Sequence, residues 1–256
     1  MKLTFLGTGT SFGIPQIGCD CAVCRSTDPR DKRSRVGAYV EAGNARILID
    51  TPPELRLQLL SNGITRADAV LITHDHADHV NGLDDIRALS AAGGGLSIYG
   101  SPATLDRLAM RFSYVFDGVK PLPGTSKPDG AAHPLEPGAK FDVAGQEIEC
   151  FEVSHGPMTV YGYRIGDLGY VTDAKELSVA ALRALRGVKV LVLNALFRTA
   201  HPTHLSIPEA IEAARLVGAE RTFFTHLTHR TSHADLEREL PKGISPAYDG
   251  LTVNIE

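Results

Sequence analysis

The sequence predicts an α/β fold, because short apolar runs typical of β-strands alternate with amphipathic segments typical of α-helices along the chain. The chain has 256 residues, of which 43% are hydrophobic and 22% charged, as in ordinary globular proteins. No internal repeat or linker-like segment interrupts this pattern. We therefore expect residues 1–256 to form a single domain.

The predicted strands are short, rich in branched or apolar residues, and mostly bounded by Gly, Asn or Pro. In the first part of the chain they cover residues 2–6, 36–41, 46–50 and 70–73. In the second part the strand-like runs are KFDVAG, EIECFEVSH, VYGYRI, LGYVTD, KVLVLNA and TFFTH.

Helical spacing of apolar residues predicts the remaining regular elements, several with Pro, Ser or Asp near the start. These helices cover residues 53–62, 82–91, 102–112, 177–186 and 207–217. The stretch from Asp117 to Gly138 is dense in Gly and Pro and shows little periodicity, so it is predicted to be a long loop. Its composition fits either a lid or a passive surface connection.

The charge balance argues against a protein whose whole surface attracts nucleic acid, since the formal net charge is −4. Arg30, Lys32, Arg33 and Arg35 form one basic cluster. We interpret it as solvated surface, with a phosphate contact by Arg35 as the alternative. Neither a membrane-spanning apolar run nor a signal peptide is evident, which predicts a soluble, cytoplasmic protein.

The decisive motif is the apolar run Val70–Thr73 followed directly by HxHxDH, which contains His74, His76, Asp78 and His79. A tight turn after a rigid strand can direct several side chains into one small volume. Neutral imidazoles and a carboxylate suit divalent metals such as zinc. The spacing lets His74 and His76 bind one ion while the other two residues bind a second.

On this motif the chain resembles the metallo-β-lactamase superfamily. The resemblance implies a four-layer αββα sandwich, with two mixed sheets flanked by helices and a dinuclear centre at their edge. It also implies that His155, at the end of FEVSH, completes the first site. Asp173, at the end of LGYVTD, is expected to bridge the ions, and His226, at the end of RTFFTH, to complete the second site.

Seven ligands for two ions leave coordination positions open, which distinguishes a catalytic centre from a structural one. Two ions roughly 3.5–4 Å apart can share a hydroxide and stabilise charge on the oxygens of an in-line displacement. This chemistry favours a metal-dependent hydrolase that acts on phosphodiesters. Zinc and manganese are both candidate metals.

Cys19, Cys21 and Cys24 lie within six residues, and the CxCxxC spacing suits one tetrahedral zinc. Short-range disulfides would be strained here, and a reducing cytosol would favour thiols. We predict that His229 supplies the fourth ligand of a structural zinc. This site would tie the N-terminal loop to the C-terminal strand.

The cysteine motif together with THxxH near the end of the chain resembles the phosphoribosyl 1,2-cyclic phosphate phosphodiesterases, the PhnP-like branch. The resemblance implies the opening of a cyclic phosphate on a ribose. It also suggests His204 as the general acid, because imidazole exchanges protons near neutral pH. Asp78 is expected to steer the attacking water. His201 could replace His204, whereas His133 and His233 receive no role.

Two other functions remain open at this point. The first is an RNA-processing endonuclease similar to the transfer-RNA 3′-processing enzymes, although the 117–138 loop is short and weakly basic for an RNA-binding arm. The second is a non-catalytic metal-binding or cofactor-handling protein of the same fold. Thioester or lactam hydrolysis is a weaker alternative. We expect a small phosphodiester as the partner, no membrane contact, and either a monomer or a homodimer.

Overall fold

Two mixed β-sheets form the centre of the structure, a computed structural model in which residues 1–90 and 95–256 are described. The strands of the first sheet are β1 (Lys2–Gly7), β2 (Gly37–Ala42), β3 (Ala45–Ile49), β4 (Ala69–Leu71), β5 (Leu96–Gly100), β6 (Gly130–Pro134) and β14 (Thr252–Asn254). The strands of the second sheet are β7 (Lys140–Val143), β8 (Gln146–His155), β9 (Met158–Ile165), β10 (Leu168–Tyr170), β11 (Val190–Asn194), β12 (Arg221–Thr225) and β13 (Ile244–Pro246).

The two sheets share one pairing pattern. Their strand orders are β14-β1-β2-β3-β4-β5-β6 and β13-β12-β11-β10-β9-β8-β7. In the first sheet the pairs from β14 to β3 are antiparallel and those from β3 to β6 are parallel. In the second, the pairs from β7 to β10 are antiparallel and those from β10 to β13 are parallel.

Helices cover the outer face of each sheet. Those of the described residues are α1 (Ala22–Arg25), α2 (Leu55–Ser61), α3 (Ala77–Val80), α4 (Arg87–Ser90), α5 (Pro102–Arg111), α6 (Ser113–Phe116), α7 (Val179–Ala184), α8 (Ile207–Val217) and α9 (His233–Glu239). Apolar side chains of α2 and α5 pack on the first sheet, and those of α7, α8 and α9 pack on the second. The predicted αββα sandwich is confirmed.

The main core lies between the sheets, where Phe5 and Ile47 of the first sheet belong to the same buried cluster as Ile148, Tyr163 and Val192 of the second. Burying each side chain of this size stabilises the fold by about 1.5–3 kcal/mol. The alternation of buried and exposed positions along β8 explains why this strand was evident in the sequence. None of the described helices has the length and apolarity to cross a membrane.

The predicted loop from Asp117 to Gly138 was partly wrong, because β6 lies within it. The sequence Gly-Ala-Ala-His-Pro lacks the branched residues of a strand, but parallel pairing with β5 satisfies its backbone. Strands β5, β13 and β14 and helices α1, α3, α6 and α9 were also not predicted. The segment predicted as one helix over 82–91 is a 3₁₀ turn at Leu83–Ile86 followed by α4, and its last residue lies outside the described residues.

Helix α8 begins with a capping box in which Ser206 and Glu209 bind each other's backbone N–H groups. The Lys175 ammonium lies 2.7 Å from the Glu209 carboxylate. This hydrogen bond and the Ser206 contacts lower the pKa of Glu209 to about 2. The cap fixes the start of α8 just after the loop that carries His204.

Candidate metal centre

The structure brings four predicted ligands of the first ion together. One ligand atom from each of His74, His76, His155 and Asp173 lies within 4.8 Å of the others. His74 Nε2 is 2.9 Å from His76 Nδ1 and 3.9 Å from Asp173 Oδ2. His155 directly ends β8, as the sequence predicted, whereas Asp173 lies three residues beyond the end of β10.

The predicted ligands of the second ion also converge. Ligand atoms of Asp78, His79 and His226 lie within 4.8 Å of one another. His79 Nε2 is 3.4 Å from Asp173 Oδ1, and His226 Nε2 is 3.4 Å from Asp173 Oδ2. Asp173 therefore contacts both sets and occupies the position expected for a bridging carboxylate.

Unpartnered nitrogen atoms test whether metal ions fit here. Among the described residues, His79 Nε2 and both ring nitrogens of His226 are buried and have no hydrogen-bond partner. Leaving such a group unsatisfied costs about 1–3 kcal/mol each. Nε2 of both rings faces Asp173, so divalent cations bound beside this carboxylate would satisfy them. The imidazole and carboxylate donors fit zinc or manganese.

Backbone conformation directs three residues into this centre. Asp50, Asp173 and His226 adopt left-handed conformations with φ of 63°, 58° and 56°. Non-glycine residues reach this region at a cost of about 1–2 kcal/mol. Such residues cluster where the surrounding structure needs a particular side-chain direction. Each of the three follows the end of a strand, so the unusual φ turns its side chain toward the centre.

Asp50 is a residue beside the centre that the sequence reasoning missed. It is fully buried, and its Oδ2 accepts a hydrogen bond from His79 Nδ1 at 2.7 Å. It also accepts bonds from the backbone N–H and hydroxyl of Thr73 at 2.8 Å. Similarly, His155 Nδ1 donates to the Thr203 carbonyl at 2.9 Å. These contacts leave Nε2 of each ring free for a metal.

Burial and neighbouring charges shift the pKa values of the ionisable groups in the centre in different directions. Burial would raise the pKa of Asp173, but the imidazoles of His226 and His79 hold it well below its usual range. Burial lowers the pKa of His74 well below its ordinary value. Burial acts the same way on His79, but Asp173 and Asp50 outweigh it and raise its pKa. Metal binding should therefore release the His79 proton.

His204 lies at the centre, as the resemblance implied. Its Nε2 is 3.1 Å from Asp173 Oδ2, and its ring stacks on His226 with centroids 4.9 Å apart. Its side chain is 12% exposed, so it can reach both the centre and a substrate. His201 lies further out, where its Nδ1 is 3.3 Å from the Thr203 hydroxyl.

The cysteine cluster forms the second predicted metal site. His229 Nδ1 lies 3.2, 3.5 and 3.6 Å from the Sγ atoms of Cys19, Cys21 and Cys24. The Cys24 N–H, 3.4 Å from Cys21 Sγ, lowers the pKa of Cys21 to about 6, while burial raises that of Cys24 to about 11. Three sulfurs around one imidazole nitrogen fit a tetrahedral zinc site.

A family model described as a beta-lactamase superfamily domain matches residues 45–227, more than half of the chain. The chain belongs to this superfamily. The matched segment includes all seven residues predicted to bind the two ions. A crystal structure of a diphosphatase from the PhnP family superimposes with a TM-score of 0.91 at 38% identity, covering 100% of this chain and 98% of that one. The predicted PhnP-like branch is thereby confirmed.

Two curated relatives carry other names. An octanoyltransferase of Porphyromonas gingivalis is 39% identical over 100% of this chain and 52% of its own length. A ribonuclease Z of Bradyrhizobium sp. is 31% identical over 63% of this chain and 48% of its own length. The chain thus spans about half the length of these relatives.

The structure also tests the interpretation of the basic cluster as solvated surface, and it locates His233 in this superfamily member. Arg33 is not solvated surface, since it is 3% exposed and its guanidinium donates to the Ala247 carbonyl at 2.5 Å. Arg35 binds Glu54 and the Ser11 carbonyl. His233 is buried, with its Nδ1 3.2 Å from Arg33 Nη2. These contacts join the N-terminal loop to the C-terminal segment.

His133 lies on β6 and stacks on Tyr99 with centroids 4.8 Å apart. Neither residue belongs to the groups of potential metal ligands. His133 therefore offers a matched histidine control for substitutions in the centre.

We expect Asp50→Asn to weaken metal binding without unfolding the protein, since Asn keeps the shape of Asp and tolerates positive φ. The amide lacks the charge that holds His79. Loss of such a supporting contact typically costs about 10–100-fold in metal affinity. Titration with a competing chelator measures this affinity. An unchanged affinity would mean that Asp50 serves only the fold.

We expect His229→Ala to remove one zinc equivalent and leave the other two ions bound. Loss of the tie between two chain segments should lower Tm by roughly 5–10 °C, since each kcal/mol corresponds to about 2–4 °C in a domain of this size. Metal analysis and thermal unfolding measure both effects. Arg230→Ala, which changes the neighbouring exposed residue, is the control. Unchanged zinc content would contradict the predicted site.

Proposed function

We propose that this protein is a dinuclear metal-dependent phosphodiesterase, with a cyclic ribose phosphate as the expected substrate. The observation that carries the proposal is the position of Asp173, whose carboxylate lies between two sets of mostly buried potential ligands and 3.1 Å from His204 Nε2. The 38% identity to a PhnP-family diphosphatase supports chemistry at phosphorus. Seven protein ligands for two ions leave room for water and substrate.

Each residue has a distinct proposed role. His74, His76 and His155 would hold one ion, and Asp78, His79 and His226 the other, with Asp173 shared. Two bound ions would supply Lewis acidity and an activated water for in-line displacement. Asp78 Oδ2 lies 3.5 Å from His79 Nε2 and its side chain is 13% exposed, so the carboxylate can also orient that water.

His204 is proposed to protonate the oxygen that leaves phosphorus. Its side chain is 12% exposed, and its Nε2 lies 3.1 Å from Asp173 Oδ2, so it can contact a substrate at the centre. A sugar alkoxide is a poor leaving group and needs this proton, whereas a phosphate leaving group needs it less. A strong dependence of catalysis on His204 would therefore favour a diester as the natural substrate, and a weak dependence would favour a diphosphate.

RNA processing is the second candidate function, favoured by the ribonuclease Z relative. Arg107 and Arg111 of α5 also lie beside the metal-binding loop and bind Asp75. They are exposed and could contact a phosphate backbone. The octanoyltransferase relative is about twice as long as this chain, so its name does not establish acyl transfer here. We therefore include a thioester only as a test substrate.

The proposed function is tested with protein reconstituted separately with zinc and manganese. The substrates are a ribose cyclic phosphate, a diphosphate diester, a transfer-RNA precursor, S-octanoyl-N-acetylcysteamine and a β-lactam. We expect the cyclic phosphate to have the highest kcat/KM, and chelation followed by metal addition to abolish and restore it. Faster cleavage of the RNA precursor would support the second candidate. Turnover of the thioester alone would reject both.

A further inference from the structure

The loop between β11 and α8 places Thr203 between two histidines of the centre. Its backbone carbonyl accepts a hydrogen bond from His155 Nδ1 at 2.9 Å. Its hydroxyl oxygen lies 2.9 Å from His204 Nδ1. Thr203 therefore contacts a proposed metal ligand through its backbone and the proposed general acid through its side chain.

Close packing holds Thr203 against the turn between β8 and β9. Gly156 directly follows His155 and adopts a φ of 61°. A Cβ atom on Gly156 would lie 2.6 Å from Thr203 Cγ2, which is closer than two carbon atoms can approach. Glycine provides both the conformation and the space that this contact needs. The position of Thr203 is thus fixed relative to the histidine that ends β8.

Packing sets the plane of the His204 ring. The ring lies nearly parallel to His226, with centroids 4.9 Å apart and an interplanar angle of 16°. It meets His155 edge-on, with centroids 4.6 Å apart. A rotation of 180° about the Cβ–Cγ bond would keep the same plane, and this torsion is nearly two-fold for imidazole. The stacking contacts therefore do not decide which nitrogen faces the centre.

Two hydrogen bonds decide which nitrogen of His204 faces the centre. Nε2 lies 3.1 Å from Asp173 Oδ2, and Nδ1 lies 2.9 Å from Thr203 Oγ1. A rotated ring would place a carbon atom opposite each of these oxygens. An ionised carboxylate only accepts hydrogen bonds, so Nε2 carries a proton. In the neutral ring Nδ1 then has no proton, and the Thr203 hydroxyl donates to it.

The two oxygens that hold His204 differ in their other partners. Asp173 is proposed to be shared by two ions, so its lone pairs are needed elsewhere. The Thr203 hydroxyl has no such second role, and its next polar neighbour, His201 Nδ1, is more distant at 3.3 Å. The hydrogen bond made by one ring nitrogen sets the proton on the other. The hydroxyl is therefore the contact best placed to keep the proton of His204 on Nε2.

We propose that Thr203 is a positioning residue that holds His204 with its Nε2–H directed toward the leaving oxygen of the substrate. This inference rests on the proposed function, because it takes His204 as the general acid. Thr203 acts only through the imidazole and does not contact the substrate. Without the hydroxyl, the ring would adopt several orientations, of which only some present the proton. Its loss should therefore lower kcat and leave KM unchanged.

Nitrogen-15 NMR of the zinc-loaded protein tests this arrangement without catalysis. The histidines are labelled with ¹⁵N, and His204 is assigned by the signals that disappear in His204→Ala. At a pH where the ring is neutral, we expect the proton on Nε2 in the wild type and a mixture of tautomers in Thr203→Val. Thr203→Ser, which retains the hydroxyl, should give the wild-type spectrum. A pure Nε2–H tautomer in Thr203→Val would overturn the proposal.

Kinetics with two leaving groups test the consequence for catalysis. Valine keeps the branched shape of threonine, so the backbone bond to His155 and the packing on Gly156 should remain. We expect Thr203→Val to lower kcat for a ribose cyclic phosphate about 10-fold, and to change kcat for a p-nitrophenyl diester less than about twofold. Thr203→Ser should restore the rate. Thr125→Val is the matched control, because it removes an exposed hydroxyl that donates to the Leu122 carbonyl.

The outcomes separate this inference from the proposed function. Unchanged rates on both substrates in Thr203→Val would overturn the role of the hydroxyl and leave the phosphodiesterase intact. Equal losses on both substrates with fewer bound ions would show that Thr203 acts through His155, and would also overturn it. If the wild type cleaves neither diester, the proposed function fails, and the ¹⁵N spectra alone decide whether Thr203 orients His204.

Discussion

Replacing Asp173 with Asn should abolish catalysis more completely than any other single isosteric change in the centre. This carboxylate is the residue that lies beside both ligand sets, since Oδ2 is 3.9 Å from His74 Nε2 of the first set and Oδ1 is 3.4 Å from His79 Nε2 of the second. Asn keeps the shape and tolerates the left-handed backbone, so the fold should survive. It removes the negative charge that two cations would share.

The expected loss in kcat/KM is at least about 1,000-fold, which corresponds to about 4 kcal/mol of transition-state stabilisation. Metal content should fall from the three ions per chain that we propose toward one or two, because the Cys19–His229 site is separate. Metal analysis and steady-state kinetics on a phosphodiester measure both quantities. The two effects should occur together.

Asp106→Asn is the matched control, since it changes an exposed carboxylate on α5. It should leave metal content and kcat/KM within about twofold of the wild-type values, as surface substitutions usually change little. If Asp173→Asn retained three ions and most of its activity, the shared-carboxylate arrangement would be wrong. Loss of activity with a lowered Tm in both variants would instead indicate damage to the fold.

The ligand residues could be predicted because each follows an apolar run. His74, His155 and His226 come at or just after the ends of β4, β8 and β12, where neighbouring strands direct side chains to one edge. The family resemblance implied the roles of His155 and His226, and the strand ends located both residues in the sequence. A short loop after β4 then adds His76 and Asp78. Motif spacing therefore indicated the four residues of HxHxDH, and the family resemblance indicated the other three proposed ligands, all of which the structure brings together.

Asp50 could not be found in the same way, although it also follows a strand. A single carboxylate after β3 resembles an ordinary turn residue, and its role depends on His79, which is 29 residues away in sequence. The burial of Arg33 also depends on distant partners, here the Ala247 carbonyl and His233. Its desolvation lowers its pKa to about 10. Such contacts arise from tertiary packing and leave no periodic pattern.

Strand β6 was missed for a related reason. Its residues have low β-propensity, and its backbone hydrogen bonds come from β5 through the pairs Leu96–Gly130 to Gly100–Pro134. A strand at the edge of a sheet is specified by its neighbour more than by its own residues. The edge position also accommodates Pro134, which cannot donate a backbone hydrogen bond.

Replacing His204 with Ala should separate chemistry from metal binding. The imidazole lies 3.1 Å from Asp173 Oδ2 and stacks on His226, so it is near the ions without being among the seven proposed ligands. As a general acid it should contribute about 100- to 10,000-fold to kcat for a diester with an alkoxide leaving group. All three ions should remain bound, as measured by metal analysis of the purified variant.

The leaving group decides between the two roles that this position allows. A p-nitrophenolate departs without protonation, so an aryl diester should lose little rate in His204→Ala, whereas a ribose diester should lose most of it. If His204 were instead a metal ligand, both substrates would slow equally and the variant would bind fewer ions. His133→Ala, which removes the imidazole stacked on Tyr99 and belongs to none of the ligand groups, should leave both rates unchanged. A selective loss on the alkoxide substrate would assign the proton to His204, because changes in metal occupancy affect both leaving groups alike.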